Sequence, residues 1–453
     1  MTDRDDERVL PAEERIQVPW SRSARPVPRL VLRPLQAFLE AEEAGGILLL
    51  LAAVTALIWA NSPWRASYDA VWQTELTFRL GGWSLSEDLR HWVNDALMTL
   101  FFLVVGLEIK RELTTGEFRE PRVAALPAIA ALGGMVVPAL LYLSINSSGQ
   151  AARGWGIPMA TDIAFALGVL AIVGRGLPVA LKSFLLALAI VDDIGAILVI
   201  AVFYSGRIAL GPLLAAGGLL ALVLVLQRLQ VRWTVVYVLL GMGVWLATFR
   251  SGIHATIAGV ALGFATPAAA FQRPRAVSLE AHRVADHTVD DPVAPDADAH
   301  HWLHLAGLTR EAVSPLARLE HALHPWTSYV VIPVFAVANA GVSISRSTLG
   351  DALAGGVTLG LVAGLVVGKT VGVTVFTWVA TRTGTTRLPE GVRWSQLVGV
   401  AALAGIGFTV SLFIASLAFQ TRALQDSAKV GILAASLLAG LLGALLLARS
   451  RRG

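Results

Sequence analysis

The sequence predicts an all-α polytopic membrane protein, and three observations support this prediction. Of its 453 residues, 55% are hydrophobic and 15% are charged, whereas soluble domains contain about 25% charged residues. The hydrophobic residues form twelve segments, most of them close to the ~20 residues that a helix needs to cross a bilayer. The basic residues are distributed very unequally over the connections between these segments.

The segments follow a polar, Arg-rich stretch at residues 1–36, which predicts a disordered cytoplasmic tail without the apolar core of a signal peptide. They form one twelve-helix domain over 37–449, with residues 450–453 as the carboxy terminus. The predicted spans are 44–60, 92–109, 123–143, 157–173, 179–204, 209–226, 233–247, 252–266, 326–342, 352–380, 396–419 and 430–448.

The positive-inside rule tests this count. With a cytoplasmic amino terminus and strict alternation, 25 of the 36 Lys and Arg residues fall in tails and connections on the cytoplasmic side and 9 fall outside. This bias favours a multi-pass protein of the plasma (inner) membrane with both termini in the cytoplasm.

The composition also excludes several functions. The chain has no cysteine, which excludes disulfides, thiol catalysis and cysteine-ligated metals. Its net charge of +4 follows from membrane topology and does not indicate a nucleic-acid partner. The lipid bilayer is the partner that the sequence predicts.

Two adjacent aspartates, Asp192 and Asp193, lie within an apolar run that is long enough to cross the membrane. A carboxylate at mid-membrane costs at least about 2.5 kcal/mol, so such residues indicate an ion or proton pathway. Neighbours on a helix are rotated by about 100°. We therefore expect the two carboxylates to have different partners.

Segments four and eleven carry signals of interrupted helices. Segment four contains Asp162 four residues after Pro158, and segment eleven has Gly405 and Gly407 at its centre. Irregular backbone at this depth is tolerated where it is buried or lines a cavity. The two glycines taken alone also fit simple close packing of helices.

Interrupted helices expose partial charges at their inner ends. Asp162 is suited to balance the positive amino-terminal ends. Lys369, near the middle of segment ten, is suited to the carboxy-terminal ends or to pairing with an aspartate.

An acid–base group is predicted at the cytoplasmic end of segment two. Glu108, Arg111 and Glu112 share a helix face there, because their spacing is i, i+3 and i+4. Histidine titrates near neutral pH, so a group of this kind is suited to sense pH; a solvated set of salt bridges is the alternative. Its predicted partners at the start of segment nine are Glu320, His321 and His324.

Two connections have features of their own. In the external loop 61–90, two short alternating runs flank Gly81-Gly82 and predict a β-hairpin over residues 74–86. Because an isolated hairpin is marginally stable, we expect a homodimer contact there, with packing on its own chain as the alternative. The cytoplasmic insertion 267–325 contains clustered histidines that could bind metal, but its polar, Pro-containing composition is more typical of disorder.

The chain resembles NhaA-type bacterial Na+/H+ antiporters from about Phe38 to Ala448. The motifs that carry the resemblance are FLEAEEAGGILLLLAA, WVNDALMTLFFLVVGLEIKREL, ATDIAFALG, ALAIVDDIGAILVIA, SGIHATIAGV, LEHALHPW, FAVANAGVS, VVGKTVGV, LPEG and GIGFTVSLFIASLAF. The resemblance implies a fold in which segments three to five and ten to twelve form an inverted pair, with segments four and eleven interrupted and crossing. The insertion near 270–312 and the long Arg-rich tail exceed the family's usual pattern.

The resemblance implies roles for individual residues. Asp193 is expected to be the main cation ligand and proton carrier, and Asp192 its neighbour paired with Lys369. Asp162 and Thr161 are expected at the crossing, where Asp162 balances helix ends. The pH response is assigned to Glu108, Arg111, Glu112, Glu320, His321, His324 and His254, and Asp95 matches a carboxylate of less defined role.

The predicted function is electrogenic, pH-regulated exchange of cytoplasmic Na+ or Li+ for external H+. The protein is then a secondary transporter and not an enzyme, with no cofactor and no organic substrate; Na+ is cargo bound at Asp193 and Asp192. Two alternatives remain at this stage. One is an intramembrane aspartyl protease using Asp162 and Asp193, and the other is a sodium-coupled organic-anion symporter of similar fold.

Overall fold

The computed structural model describes residues 44–450 except 82, 175, 288–297, 344–349 and 351–354. The predicted tail 1–36, residues 451–453 and part of the insertion therefore lie outside the described residues. The helices are α1 Ala44–Ala60, α2 Arg65–Trp72, α3 Leu89–Thr114, α4 Pro121–Ile145, α5 Gly149–Met159, α6 Ile163–Val173, α7 Val179–Phe203, α8 Leu210–Arg228, α9 Thr234–Arg250, α10 Thr256–Ala265, α11 Pro274–His287, α12 Ala299–Glu311, α13 Pro315–Trp326, α14 Ile332–Asn339, α15 Gly356–Arg382, α16 Trp394–Leu403, α17 Phe408–Ala418 and α18 Arg422–Ser450.

The structure is that of an all-α membrane protein. Among the described residues, six helices are each long and apolar enough to cross a bilayer: α3, α4, α7, α8, α15 and α18. The count rises to nine if each bent pair forms one span. The pairs are α1–α2, bent by 115°, α5–α6, bent by 48°, and α16–α17, bent by 45°.

The helices pack in two groups. In one group α4 packs against α7 and α15, α16 packs against α18, and the two broken pairs lie among them. In the other, α3 packs against α10, α8 against α9 and α1 against α14. The groups meet where α1 contacts α6 and α14 contacts α17.

The first group depends on a close approach between α4 and α15. A Cβ atom added to Gly372 would lie 2.1 Å from the carbonyl oxygen of Gly133, and one added to Gly133 would lie 2.3 Å from that of Gly372. Neither position accepts a side chain without separating the backbones. Lys369 lies one turn before Gly372 on α15. This contact therefore also fixes the position of the lysine relative to α4.

The connection between α2 and α3 forms a two-stranded antiparallel hairpin, β1 Glu75–Leu80 and β2 Trp83–Asp88. Leu80 pairs with Trp83 across a two-residue turn in which Gly81 has φ +58°. The hairpin is attached to its own chain through Trp92, whose Nε1 donates to Leu76 O at 3.1 Å. The Trp92 ring also packs edge-on against Phe78 at 5.1 Å.

The insertion is more ordered than its composition predicts. Helices α11 and α12 pack together through a small core of Val277, Val284 and Leu305. The expectation of disorder is wrong for these residues, because period-3.6 apolar positions inside a polar segment are enough to pair two helices. Glu311 at the end of α12 forms an ion pair with Arg232, which holds the pKa of the Glu311 carboxyl below its usual value.

Two helix boundaries near the insertion also differ from the prediction. Helix α13 begins at Pro315, eleven residues before the predicted start at 326, because Ser314 caps it by accepting the Ala317 N–H at 3.2 Å. This extension places Glu320 on a helix. Conversely, segment eight forms only the short helix Thr256–Ala265.

We predict that Gly372→Ala destabilises the protein by about 1–3 kcal/mol, because overpacking a close contact forces the backbones apart. The measurement is thermal unfolding of purified protein in detergent. The matched control is Gly217→Ala on α8, where an added Cβ meets nothing within 4 Å. Equal unfolding temperatures for the two variants would contradict the packing described here.

Candidate ion-binding site

The two helix breaks meet at the centre of the first group. Residues 160–162 separate α5 from α6, and residues 404–407 separate α16 from α17. The Asp162 N–H donates to Ile406 O at 2.6 Å, which joins one break to the other. A Cβ on Gly405 would lie 2.2 Å from Leu365 O, so the break also requires glycine for close packing.

Asp162 lies between two helix amino termini. Its Oδ1 accepts the Phe165 N–H of α6 at 3.1 Å. Its Oδ2 accepts the Thr409 N–H at 3.0 Å and the Thr409 hydroxyl at 2.6 Å, both from the first turn of α17. The side chain is buried. A carboxylate in this position neutralises the positive ends of both helices.

Lys369 and Asp192 form a buried ion pair. Lys369 Nζ donates to Asp192 Oδ2 at 2.5 Å, and both side chains are 0% exposed. The same Nζ also donates to Met159 O at 2.5 Å, at the carboxy-terminal end of α5. The lysine therefore occupies both predicted positions, beside a helix carboxy terminus and beside an aspartate.

Thr161 completes the surroundings of Asp192. Its Oγ1 lies 2.7 Å from Asp192 Oδ2 and 2.8 Å from Ala404 O. A hydroxyl has one proton, so it donates to one of these oxygens at a time. Asp192 Oδ1 is buried and has no hydrogen-bond partner among the described residues. This oxygen is free to accept a cation or a proton.

Asp193 points away from this network, as the 100° rotation between neighbours requires. It is 5% exposed. The charges that act on its carboxylate come from two groups of helices: Asp192, Glu108, Asp162 and Lys369. Asp193 is thus a buried acid in a mostly acidic setting, and its negative charge has less compensation than that of Asp192.

At one end of α3, acids from two helices gather around Arg111. Arg111 forms an ion pair with Glu320 of α13 and donates to Glu112 Oε1 at 3.4 Å. Electrostatic interactions link Glu108 to Glu320, Arg111 and Glu112. His321 and His324 are exposed on α13, and the ion pairs of Arg111 in the described part of the chain are with Glu320 and Glu112.

The remaining predicted residues lie apart from the ion pair. His254 Nε2 is 2.8 Å from Tyr204 O, at the end of α7. Asp95 lies in a π-helical turn of α3, and its backbone carbonyl accepts the Trp245 Nε1 hydrogen bond at 3.3 Å. Neither residue contacts Asp192 through a hydrogen bond.

Thr409 is not among the predicted site residues, although its N–H and its hydroxyl both donate to Asp162 Oδ2. Its position two residues after Gly407, at a helix start, was the available signal. The backbone carbonyls of Met159, Ala404 and Ile406 have no such signal, because any residue type supplies a carbonyl.

No group of three or more His, Asp or Glu residues in the described part of the chain is arranged to hold a metal ion. This applies to the described histidines of the insertion as well. The oxygens next to Asp192 are those of its own carboxylate and of the Thr161 hydroxyl.

Comparisons with known proteins identify the family of the chain. A family model described as Na+/H+ antiporter 1 matches residues 36–447. The Na+/H+ antiporter NhaA of Oleidesulfovibrio alaskensis is 47% identical over 435 residues, covering 95% of this chain and 96% of its own. The Na+/H+ antiporter NhaA of Anaeromyxobacter sp. is 49% identical over 428 residues, covering 94% and 93%.

A third relative, the Na+/H+ antiporter NhaA of Syntrophobacter fumaroxidans, is 47% identical over 422 residues, covering 91% of this chain and 89% of its own. The resemblance thus extends over the helices of both groups and over both breaks. The chain belongs to the NhaA Na+/H+ antiporter family, whose members are secondary transporters and not enzymes.

Proposed function

We propose that this protein exchanges Na+ or Li+ for H+ across the plasma (inner) membrane, with Asp193 and Asp192 as the shared cation and proton site. The observation that carries the proposal is the pair of buried adjacent carboxylates, one of them bound to Lys369 and the other without a comparable counter-ion. A buried carboxylate is costly unless a proton or a cation neutralises it. Competition between the two for the same oxygens is what exchange requires.

The exchange follows from this competition. When cytoplasmic pH is high, the carboxylates lose their protons, and their oxygens replace part of the water shell of the cation. Asp193, Asp192 Oδ1 and the Thr161 hydroxyl are the oxygens at hand. Protons arriving from outside then displace the cation, because they neutralise the same groups. Access alternates by movement of one helix group against the other around the fixed site.

A second proton would make transport electrogenic. Asp193 releases one proton as the cation binds, and the second comes from the Lys369–Asp192 pair or from Asp162. The pair is the better candidate in this geometry, because a cation bound at Asp192 Oδ1 weakens the attraction between that carboxylate and the Lys369 ammonium group. Asp162 is held by three donors from helix starts, which stabilise its ionised form.

The same contacts argue against an intramembrane aspartyl protease. That chemistry needs two carboxylates that share a proton and face a common water. Both oxygens of Asp162 are occupied by donors at two helix starts, and Asp192 is occupied by a lysine. A sodium-coupled organic-anion symporter is distinguished by experiment, since it moves no ions in the absence of an organic solute.

We also propose the family topology of twelve spans with both termini in the cytoplasm. Two triplets have the same plan, a continuous helix, a broken helix and a continuous helix: α4, α5–α6 and α7, and α15, α16–α17 and α18. The contacts between the broken pairs also run in both directions, since Thr161 Oγ1 lies 2.8 Å from Ala404 O and Ser411 Oγ donates to Ile157 O at 2.9 Å. These features support an inverted repeat.

We predict that Asp193→Asn reduces Na+-dependent proton flux in everted membrane vesicles to the level of vesicles without the protein. Asparagine keeps the shape of the side chain but can neither carry a proton nor supply a negative charge. The flux is measured with a pH-sensitive dye during addition of Na+, Li+ or K+ over a range of pH. Glu390→Gln, outside the helices, is the control and should behave as wild type.

Wild-type flux in the Asp193→Asn variant would remove this residue from the mechanism. Proton movement that needs an added organic anion would instead favour the symporter. Cleavage of a peptide substrate by the purified protein would favour the protease.

Regulation by pH is proposed for the cluster around Arg111. Its ion pair with Glu320 joins α3 to α13, and Glu108 interacts with the charges of both this cluster and Asp193. A change of protonation in the cluster therefore acts on the ion site and on the contact between two helices. The proposal rests on the carboxylates because Glu320 and Glu112 form the ion pairs with Arg111.

We predict that Glu320→Gln shifts the pH of half-maximal transport to lower pH by roughly half a unit or more. The substitution removes one of three clustered acidic side chains and the ion pair with Arg111, so the electrostatic surroundings of Glu108 change. Transport is measured against pH in the vesicle assay described above. Glu280→Gln, which breaks an exposed ion pair with Arg283 on α11, should leave the pH profile unchanged. An unchanged profile for Glu320→Gln would exclude the cluster from pH sensing.

We propose further that the protein is a homodimer joined through the hairpin over 74–86. A two-stranded sheet has unpaired edges on both sides, and Phe78 on β1 is 52% exposed. A second copy of the hairpin would pair with an edge and cover this side chain.

We predict that Thr77→Cys yields disulfide-linked or crosslinked dimers in membranes. The chain has no cysteine of its own, so a single introduced thiol reports only on this position. Ser148→Cys is the control, because Ser148 is exposed before α5 and its side chain makes no capping bond. The hairpin contact would be refuted if both variants crosslinked equally, or if the Thr77→Cys variant did not crosslink.

A further inference from the structure

The arm of α5 from Arg153 to Met159 is a 3-10 helix. Pro158 has no N–H to donate to an earlier carbonyl, and Gly154 and Gly156 weaken the α-helical form further. Hydrogen bonds within a 3-10 helix have poor geometry. This arm therefore depends on outside donors to satisfy its carbonyl groups in a membrane setting.

The structure supplies those donors from four other elements of the protein. Each of four side chains donates to a backbone carbonyl of α5. The pairs are Tyr142 Oη to Ala151 O at 2.8 Å, Tyr204 Oη to Arg153 O at 2.6 Å, Ser411 Oγ to Ile157 O at 2.9 Å and Lys369 Nζ to Met159 O at 2.5 Å.

Tyr204 makes the most complete contact of the four. It is the residue that ends α7, and its hydroxyl accepts the Gly156 N–H at 3.1 Å while it donates to Arg153 O. The side chain is 7% exposed. Tyr142 on α4 is 0% exposed and donates to Ala151 O, two residues before the arm begins.

Both glycines of the arm make room for these hydroxyl groups. A Cβ on Gly156 would lie 2.8 Å from Tyr204 Oη, and a Cβ on Gly154 would lie 2.4 Å from Tyr142 Oη. A 3-10 helix has three residues per turn, so positions two apart face different sides. The arm therefore fits between α4 and α7, with one tyrosine on each side.

We propose that Tyr142 and Tyr204 are positioning residues for the ion site, which act by fixing the 3-10 arm of α5 to α4 and α7. This inference rests on the proposed exchange function. The arm is bound to α7 at two points, through Tyr204 near its start and through Thr161 and Asp192 just beyond its end. With the first point in place, the arm cannot slide along α7, and the Thr161 hydroxyl stays beside Asp192.

Loss of either tyrosine hydroxyl should lower the affinity of the protein for the cation. The arm delivers Met159 O to Lys369 and Thr161 Oγ1 to Asp192. A displaced arm weakens both contacts, and the oxygens around the cation are then less well arranged. The chemistry of proton release at Asp193 is not changed, since neither tyrosine touches that residue through a hydrogen bond in the described structure.

The test is Tyr204→Phe in the full-length protein, which removes one hydroxyl and keeps the ring. The readouts are the apparent KM for Na+ and the maximal rate in proteoliposomes, together with equilibrium binding of radioactive Na+ to purified protein. We expect KM and Kd to rise by about three- to tenfold, the range for loss of one or two buried hydrogen bonds. The maximal rate per molecule should stay near that of wild type.

Tyr68→Phe is the matched control. Tyr68 is 3% exposed and also donates to backbone carbonyls, Val337 O at 2.8 Å and Ala338 O at 3.0 Å, and neither of these acceptors belongs to α5. This variant should leave KM and Kd unchanged. Tyr142→Phe should raise them, although less than Tyr204→Phe because it removes a single hydrogen bond.

A double-mutant cycle of Gly156 and Tyr204 tests the contact between the arm and the Tyr204 hydroxyl. Gly156→Ala should raise KM in the wild-type background by pushing against Tyr204 Oη, and should raise it less in the Tyr204→Phe background. Additive effects of the two substitutions would show that they act independently, which would overturn the proposal. So would a Tyr204→Phe variant that loses maximal rate and folded protein while its KM and Kd are those of wild type.

The outcome is distinguishable from failure of the proposed function. If wild-type protein binds no Na+ and shows no Na+-dependent proton flux, the exchange itself is refuted. If wild type binds and transports Na+ and Tyr204→Phe has the same KM and Kd, only the positioning role is refuted.

Discussion

The structure depends on the neutralisation of charge inside a membrane protein, and the Lys369–Asp192 pair is the central case. Both side chains are fully buried, and Nζ lies 2.5 Å from the carboxylate oxygen. Removing either partner would leave an isolated charge where burial is most costly. The pair also binds Met159 O, so one interaction joins α15, α7 and the end of α5.

The two helix breaks follow the same rule. Each break exposes a positive helix start and a negative helix end, and the site provides a counter-group for both kinds. Asp162 accepts hydrogen bonds from N–H groups at the starts of α6 and α17. Lys369 and Thr161 donate hydrogen bonds to carbonyl groups at the ends of α5 and α16. The arrangement is compact because glycine and threonine occupy the crossing. The result is a polar centre in which most groups are satisfied, apart from the oxygens that an ion would use.

The surrounding helices have different roles. Those next to the breaks are tightly packed, and the contact between Gly133 and Gly372 leaves no space for a side chain. Helix α8 is at the other extreme, because only 11% of its apolar 18-residue stretch is buried within the protein. The ion pair of Arg111 with Glu320 joins α3 to α13. The insertion is joined to the α8–α9 connection by Glu311 and Arg232, at the periphery.

Local chemistry in the sequence determined much of this protein. Hydrophobic runs of membrane length indicated the helices, and Asp162, Asp192, Asp193 and Lys369 stood out because charge in such runs is costly. Only the tertiary structure decided which groups meet: Thr409 with Asp162, Met159 O with Lys369, and Glu320 but not His321 with Arg111. These pairings join residues far apart in the chain and partly involve backbone atoms, which no residue type marks. The insertion helices were missed for a related reason, since three buried apolar side chains outweigh a polar composition only once two helices are placed side by side.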